Sequence, residues 1–258
     1  FGEEGFTAAC EAYRAAIAAA GEADAGGSAP LAAVEQLANL EARSAEKLAR
    51  RGEDNGRRKK ANVAEARRRV DRAIERMEKL LALSGDAGAA PPNSERWSIL
   101  GSACKTMAVV LQEGGRQWDR IKPWLERARD AYGKGEGDPS TPGFNPYGMI
   151  NRLQLDALLG SGAAGIDECL ALCQAAARRR FAENFDFWDA VKVADAGLAG
   201  WLAGGDVAAG AADMAAKFAA AYRSEGERLA PQPRQFESVI RQIEFLADMF
   251  AASAKTEA

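Results

Sequence analysis

The sequence contains no histidine, and this absence removes several kinds of active site at once. Without histidine, a chain cannot form a Ser-His or Cys-His catalytic pair, a histidine-ligated metal site or a histidine pH switch. Aromatic residues are also scarce, at 7% of the chain. No apolar run reaches the roughly 18 residues that a membrane-spanning helix needs. We therefore expect neither a histidine-dependent enzyme nor a membrane protein.

The four cysteines indicate little chemistry, because they are scattered. They stand at Cys10, Cys104, Cys169 and Cys173, and only the last two share a helical face, as C-x-x-x-C. A structural zinc site would need all four to converge, which their spacing does not indicate. We expect thiols buried in a protein of the reducing cytoplasm, with no metal and no cofactor.

The charge balance gives no overall attraction to nucleic acid or to acidic membranes. Basic residues number 34 and acidic residues 37, so the formal net charge is −3. Much of the 47% hydrophobic content is alanine, which has the highest helix propensity. No stretch alternates apolar and polar residues with a period of two. The composition therefore predicts an all-α protein without strands.

Helical periodicity, interrupted by clusters of glycine, proline and asparagine, predicts ten helices. Pro123 is expected in the first turn of the fifth helix. We expect one helical-repeat domain over residues 1–258, with flexible loops near 21–30, 51–60, 84–93 and 133–146. The helices are predicted at about 7–20, 30–51, 61–83, 94–111, 118–132, 147–159, 165–180, 185–202, 207–224 and 232–253.

Two kinds of helix alternate along the chain. A first-type helix carries a large apolar residue, then a leucine, then a small residue, most clearly at Trp97, Leu100 and Gly101. A second-type helix has a large residue flanked by small ones, so that a neighbouring helix can approach closely. The pattern occurs as Ala9/Tyr13/Ala16 and Ala66/Val70/Ala73, and more loosely, with a larger first residue, as Ile121/Leu125/Ala128, Ile166/Leu170/Cys173 and Met214/Phe218/Ala221. The other first-type matches are Val34/Leu37/Ala38, Tyr147/Ile150/Asn151 and Trp188/Val191.

This alternation is typical of tetratricopeptide repeats. The repeat distance is roughly 40–60 residues, compared with about 34 for the standard repeat, so we expect an irregular α-α superhelix of helical hairpins. The chain starts on a second-type helix, which predicts that it is a fragment of a longer protein. The alternative architecture is a generic helical bundle.

Four segments carry a resemblance to a known family. They read AVEQLANLEAR, ERWSILGSACKTMA, NPYGMINRLQLDALLG and PRQFESVIRQIEFLADMF, and the resemblance extends from about Pro30 onward. In this order they resemble the tetratricopeptide-type region that accompanies bacterial CHAT (caspase-like) protease domains and related conflict-system effectors. That region is also similar to the TRAFs-binding regulatory region of stress-activated kinase kinase kinases. The resemblance implies a regulatory scaffold in bacterial defence that binds protein or peptide and controls an adjoining effector.

In such an array the first helices line the concave face, and positions there that do not serve packing are free to bind a partner. Lys105 and Arg152 would suit a carboxylate of a peptide. Counted by helical spacing from Trp97 and Tyr147, the candidate partner-binding residues are Glu95, Ser98, Ser102, Lys105, Asn145, Arg152 and Asp156.

The basic stretch at residues 50–69 supports an alternative, a helical array that binds nucleic acid. Its candidate phosphate contacts are Arg57, Arg58, Lys59, Lys60, Arg67 and Arg68. The stretch has no aromatic residue on which a base could stack, and acidic residues lie among the basic ones. A solvated helix face therefore explains it more simply, and nucleic acid is not the expected partner. A second alternative is an enzyme that works without histidine.

Overall fold

The computed structural model describes residues 3–23, 31–51, 56–85, 94–141, 143–162, 165–204, 207–223 and 232–254. These residues form ten α-helices and no strand, so the predicted all-α class is confirmed. Of the loops predicted near 21–30, 51–60 and 84–93, residues 24–30, 52–55 and 86–93 lie outside the described residues. The helices are α1 (Glu3–Ala23), α2 (Leu31–Ala49), α3 (Gly56–Gly85), α4 (Ser94–Glu113), α5 (Trp118–Glu136), α6 (Pro146–Leu158), α7 (Ile166–Asn184), α8 (Phe187–Gly204), α9 (Val207–Arg223) and α10 (Pro233–Ala254).

The chain divides into two compact units, Phe1–Gly135 and Glu136–Ala258. The division falls at the end of α5, within the loop predicted at 133–146. Helices pack in hairpin order inside each unit: α2 on α3, α6 on α7, and α8 on α9. First-type helices of successive hairpins also contact one another, α2 with α4 and α6 with α8. This double packing is typical of a helical repeat.

The second-type pattern describes the core of the first unit well. Ala66, Val70 and Ala73 of α3 are all fully buried. The methyl side chains of the two alanines let α2 approach α3 closely, while the larger side chain of Val70 fills the space between these helices. The triad Ile121/Leu125/Ala128 of α5 is buried in the same way. The positions of both triads are therefore buried as predicted, although only the α3 triad has a small residue on either side of the large one.

The W-x-x-L-G motif brings α4 close to α5. A Cβ atom added to Gly101 would lie 2.9 Å from the ring of Tyr132, which is fully buried. A Cβ atom on Gly135 would lie 2.7 Å from the Cβ atom of Trp97. Because both distances are shorter than a carbon–carbon contact, the two glycines allow the helices to meet here.

The second unit has its own core between α6, α7 and α8. Ile150 and Leu153 of α6 lie with Leu170 and Cys173 of α7 in one buried cluster, to which α8 adds alanines. A Cβ atom on Gly200 of α8 would lie 2.7 Å from the side chain of Leu170. Alanine and glycine on α8 thus take the role that the small residues of α3 have in the first unit.

Three local expectations are wrong. Helix α3 begins at Gly56, so residues 56–60 are helical, not part of a loop. Pro123 lies in the second turn of α5 with an exposed side chain, and not in the first turn. In α1 the buried residues are Phe6 and Cys10, because the face that meets α2 is offset from the predicted Ala9/Tyr13/Ala16 triad.

Candidate functional site

The contact between successive first-type helices is the feature of each unit that bears most on binding. In the first unit, Arg96 of α4 donates to the Glu35 carboxylate of α2 at 2.6 Å, and both side chains are largely buried. In the second unit, the Gln154 amide of α6 donates to the Asp195 carbonyl of α8 at 3.3 Å. These polar contacts fix neighbouring first-type helices side by side.

The candidate residues on α4 lie against α5. The Ser102 hydroxyl hydrogen-bonds the Tyr132 hydroxyl at 2.9 Å, and the Lys105 ammonium lies 5.9 Å from the centre of the Tyr132 ring. Lys105 is only 9% exposed, so its expected availability to solvent is not found. Ser98 is half-buried and donates to the Ser94 carbonyl at 2.8 Å. Glu95 is exposed at the start of the helix.

The candidate residues around α6 form a local polar network. The side chain of Asn145 caps α6 by accepting from the Tyr147 N–H at 3.2 Å. Arg152 donates to both carboxylate oxygens of Glu136, at 2.7 and 3.3 Å, and to Asp156 at 3.1 Å. Burial opposes the charged guanidinium, but the hydrogen bond and charge of Glu136 raise the pKa of Arg152 overall. The structure thus brings Arg152 and Asp156 together.

The basic patch is less available than its sequence indicates. The Lys59 ammonium donates to the Glu113 carboxylate at 2.6 Å and to the Ala49 carbonyl at 2.8 Å, so it joins α3 to α2 and α4. Arg68 pairs with Glu65, and Arg67 lies 3.9 Å from Asp71. Arg57, Arg58 and Lys60 are exposed at the start of α3. The patch is a helix surface on which Glu65 and Asp71 lie among the basic residues.

Three grooves occur at equivalent positions in the repeats, each between two successive second-type helices with a first-type helix as its floor. The first groove lies over α2 between α1 and α3 and encloses about 100 Å³. The second lies over α4 between α3 and α5, at about 460 Å³. The third lies over α8 between α7 and α9, at about 470 Å³. The repeat therefore presents the same kind of groove with different side chains.

The first groove is occupied by a charged network around Glu41, whose side chain is 1% exposed. Arg14 of α1 donates to this carboxylate at 2.6 Å, Arg76 of α3 also donates to it, and Arg72 of α3 lies 3.5 Å away. Three helices are thus joined through one buried carboxylate. Burial raises the pKa of the neighbouring Cys10 thiol, and the negative charge of Glu41 raises it further.

An ion pair joins the two walls of the second groove. Arg127 of α5 donates to the Glu78 carboxylate of α3. Two other residues that line this groove also interact: the Lys134 ammonium lies 4.9 Å from the centre of the Trp97 ring, a favourable cation–π contact. The walls of this groove therefore attract each other, as the walls of the first groove do through Glu41.

The third groove has cations on both walls. Arg178 of α7 and Lys217 of α9 line it from opposite sides, above a floor that is mostly apolar. Lys217 pairs with Asp213 of its own helix at 2.7 Å, where both side chains are well exposed. Within the described ranges, Arg178 has no carboxylate at ion-pair distance. No ion pair between described residues joins α7 to α9 across this groove.

The four cysteines lie within the helices, and Cys10 lines the first groove. Cys10, Cys104 and Cys173 are buried and Cys169 is half-buried. Burial raises the pKa of the Cys104 and Cys173 thiols to about 12. In the described part of the chain, no three cysteine, aspartate or glutamate side chains gather as a metal site would require. Nor does any described helix combine the length and apolar character needed to cross a bilayer.

Sequence reasoning missed Glu41 and the third groove. Glu41 lies among leucines and alanines in α2, and its arginine partners are 27, 31 and 35 residues away along the chain. The one available signal is that Glu41 occupies a position where the helical pattern of α2 calls for an apolar residue. Arg178 is the first of three successive arginines, and the sequence does not tell which of them faces the groove.

Comparison with known proteins gives one match. The family model described as Tetratricopeptide Repeats-Sensor (TPR-S) matches residues 5–156, which is more than half of the chain and includes most of α1, all of α2 to α5 and most of α6. No curated protein and no solved structure matches the chain.

Proposed function

Because the chain belongs to the Tetratricopeptide Repeats-Sensor family, we propose that it is a non-catalytic regulatory module that controls an adjoining effector. Repeats of this kind generally act as scaffolds for protein interaction, and the proposed ligand is a protein or peptide segment. Repeat scaffolds hold an extended segment along a continuous surface of aligned helices. We further propose that the protein acts in the cytoplasm.

The observation that carries the proposal is the side-by-side packing of first-type helices, α2 with α4 and α6 with α8. Within each unit, such packing aligns the exposed positions of two neighbouring helices, so that a bound segment can contact two successive repeats. Among the candidate residues, Glu95 is the one most open to such a segment. The partner roles of Lys105 and Arg152 require that they leave Tyr132 and Glu136 when the partner binds.

The proposed effector is a caspase-like protease in a bacterial defence system, as the sequence resemblance implies. The test uses the full polypeptide encoded by the gene that contains this chain. Its peptidase activity towards a panel of fluorogenic peptides is measured with this segment intact and with a glycine–serine linker of equal length in its place. A regulatory coupling of ordinary size should change the activity by about tenfold.

Titration with an irreversible active-site inhibitor controls for the amount of active protease in the two preparations. Equal activity per titrated site would contradict the regulatory role. A gene that encodes no protease would refute the choice of effector and leave the scaffold role to be tested with whatever domain adjoins it.

The nucleic-acid alternative has less support. Lys59, Arg67 and Arg68 have acidic neighbours within the chain, which reduces the charge available to phosphates. A histidine-independent enzyme has no specific support either, since the buried Glu41 is surrounded by the arginines that neutralise it.

A further inference from the structure

The third groove differs from the other two in the charge of its walls. In the first groove, Glu41 binds arginines of both flanking helices, and in the second, Glu78 binds Arg127. In the third, Arg178 and Lys217 carry the same charge and cannot pair with each other. An anion located between them would have a cation on either side, as Glu41 has in the first groove. The first groove thus has a carboxylate of its own between the cations of its walls, and the third groove has none among the described residues.

The floor of the third groove is built to accept apolar side chains. Ala194 of α8 is almost fully buried at the base, and Val193 is half-buried beside it. Phe181 of α7 and Ala220 of α9 line the two walls. Because three of these four side chains are small, the groove stays wide, and its volume of about 470 Å³ has room for one or two large side chains.

We propose that the third groove is the docking site for an amphipathic segment of a partner protein. One apolar side chain of that segment packs on Val193 and Ala194, and a neighbouring aspartate or glutamate lies between Arg178 and Lys217. The guanidinium of Arg178 can bind such a carboxylate through two parallel hydrogen bonds. Lys217 reaches it by leaving Asp213, an exchange of little cost because exposed ion pairs contribute little to stability.

Charge complementarity and the apolar floor together select this occupant. A nucleic acid would need a longer row of cations and aromatic rings for its bases, and the groove offers two cations and one phenylalanine. A wholly apolar segment would leave both cations without a partner. The inference rests on the proposed function, because it assigns a binding surface and a partner chemistry to the scaffold.

The test begins with a phage-displayed library of random 12-residue peptides selected on the full chain. Enriched peptides are synthesised with a fluorescent label, and their dissociation constants are measured by anisotropy. We expect the enriched peptides to share an aspartate or glutamate within four residues of a leucine, isoleucine, methionine or phenylalanine. Their affinity should fall as salt concentration rises, because the cations are exposed.

Three variants then locate the binding site. Arg178→Glu should raise the dissociation constant at least about tenfold, the usual effect of losing a charged hydrogen bond. Ala220→Trp should abolish binding, because the indole fills the groove from an exposed position. Arg179→Glu is the matched control: it changes the same charge at an exposed neighbouring position that does not line the groove, and it should alter binding less than about twofold.

Several results would overturn the proposal. These are the absence of any enriched peptide, enriched peptides without acidic residues, equal effects of Arg178→Glu and Arg179→Glu, or unchanged binding by Ala220→Trp. Peptides that bind with acidic residues but are insensitive to all three variants would place the interaction on another surface. That result would refute the third groove as the site and leave the proposed scaffold function intact, whereas the protease measurement above tests that function separately.

Discussion

Replacing Tyr132 with alanine is expected to lower the free energy of unfolding of the first unit by about 4 kcal/mol, the usual cost of removing a buried aromatic side chain. Tyr132 is fully buried where α5 meets α4. Its ring fills the space left by Gly101, its hydroxyl bonds Ser102, and Lys105 lies over its face. The substitution removes all three contacts and leaves a cavity. Guanidinium unfolding followed by tryptophan fluorescence measures the change.

Two other substitutions separate the packing of Tyr132 from its polar contact. Tyr132→Phe keeps the ring and loses the hydrogen bond to Ser102, which should cost about 1 kcal/mol. Tyr147→Ala removes a tyrosine that is 38% exposed in the second unit, and it should leave the unfolding of the first unit unchanged. A cost of less than about 1 kcal/mol for Tyr132→Ala would show that α5 does not pack on α4 as described.

Replacing Glu41 with glutamine is expected to destabilise the first unit by about 3 kcal/mol, the lower end of the range for breaking a buried ion pair. The lower end applies because the arginine side chains remain 27–43% exposed and water can solvate them once the carboxylate is lost. Glutamine keeps the shape of glutamate and removes its charge. Hydrogen exchange should increase in α1, because Arg14 joins that helix to Glu41.

An exposed glutamate gives the matched control for this substitution. Glu75 of α3 pairs with Lys79 of the same helix, and both side chains are more than 60% exposed. Glu75→Gln should therefore leave the free energy of unfolding nearly unchanged. Similar effects of Glu41→Gln and Glu75→Gln would show that the buried network does not hold the three helices together.

Local sequence patterns were sufficient to predict the helices. The boundaries of α2, α4, α8 and α9 lie within two residues of the predicted ones, because glycine, proline and capping residues mark helix ends directly. The second-type triads also predicted buried positions in α3, α5 and α9, where the spacing of small and large residues depends only on helix geometry.

The candidate site was harder to predict, because its properties depend on partners that are distant in the sequence. Lys105 was expected to be exposed, but Tyr132 of the next helix covers it. The ammonium of Lys59 was expected to meet solvent, but Glu113, 54 residues away, binds it. The like charges of Arg178 and Lys217 become meaningful only when α7 and α9 are placed on either side of α8. A single-helix pattern contains none of this information.

The three grooves have different lining side chains, and the roles proposed for them depend on this difference. Internal ion pairs at Glu41 and Glu78 join the helices of the first unit across its grooves. In the third groove, in the second unit, no ion pair between described residues joins the two walls, and Arg178 and Lys217 lie above an apolar floor. Under the docking proposal, one repeat geometry serves stability at one position and recognition at another, with different residues on the walls and floor of the groove.

The side-by-side packing of first-type helices is the central claim, and a double-mutant cycle between Glu35 of α2 and Arg96 of α4 tests it most directly. The cycle compares Glu35→Gln, Arg96→Met and the double variant by guanidinium unfolding. A direct, largely buried ion pair should give a coupling free energy of about 1–2 kcal/mol, whereas the exposed Glu75–Lys79 pair should give little or none. A coupling free energy for Glu35 and Arg96 no larger than that of the exposed pair would contradict the account.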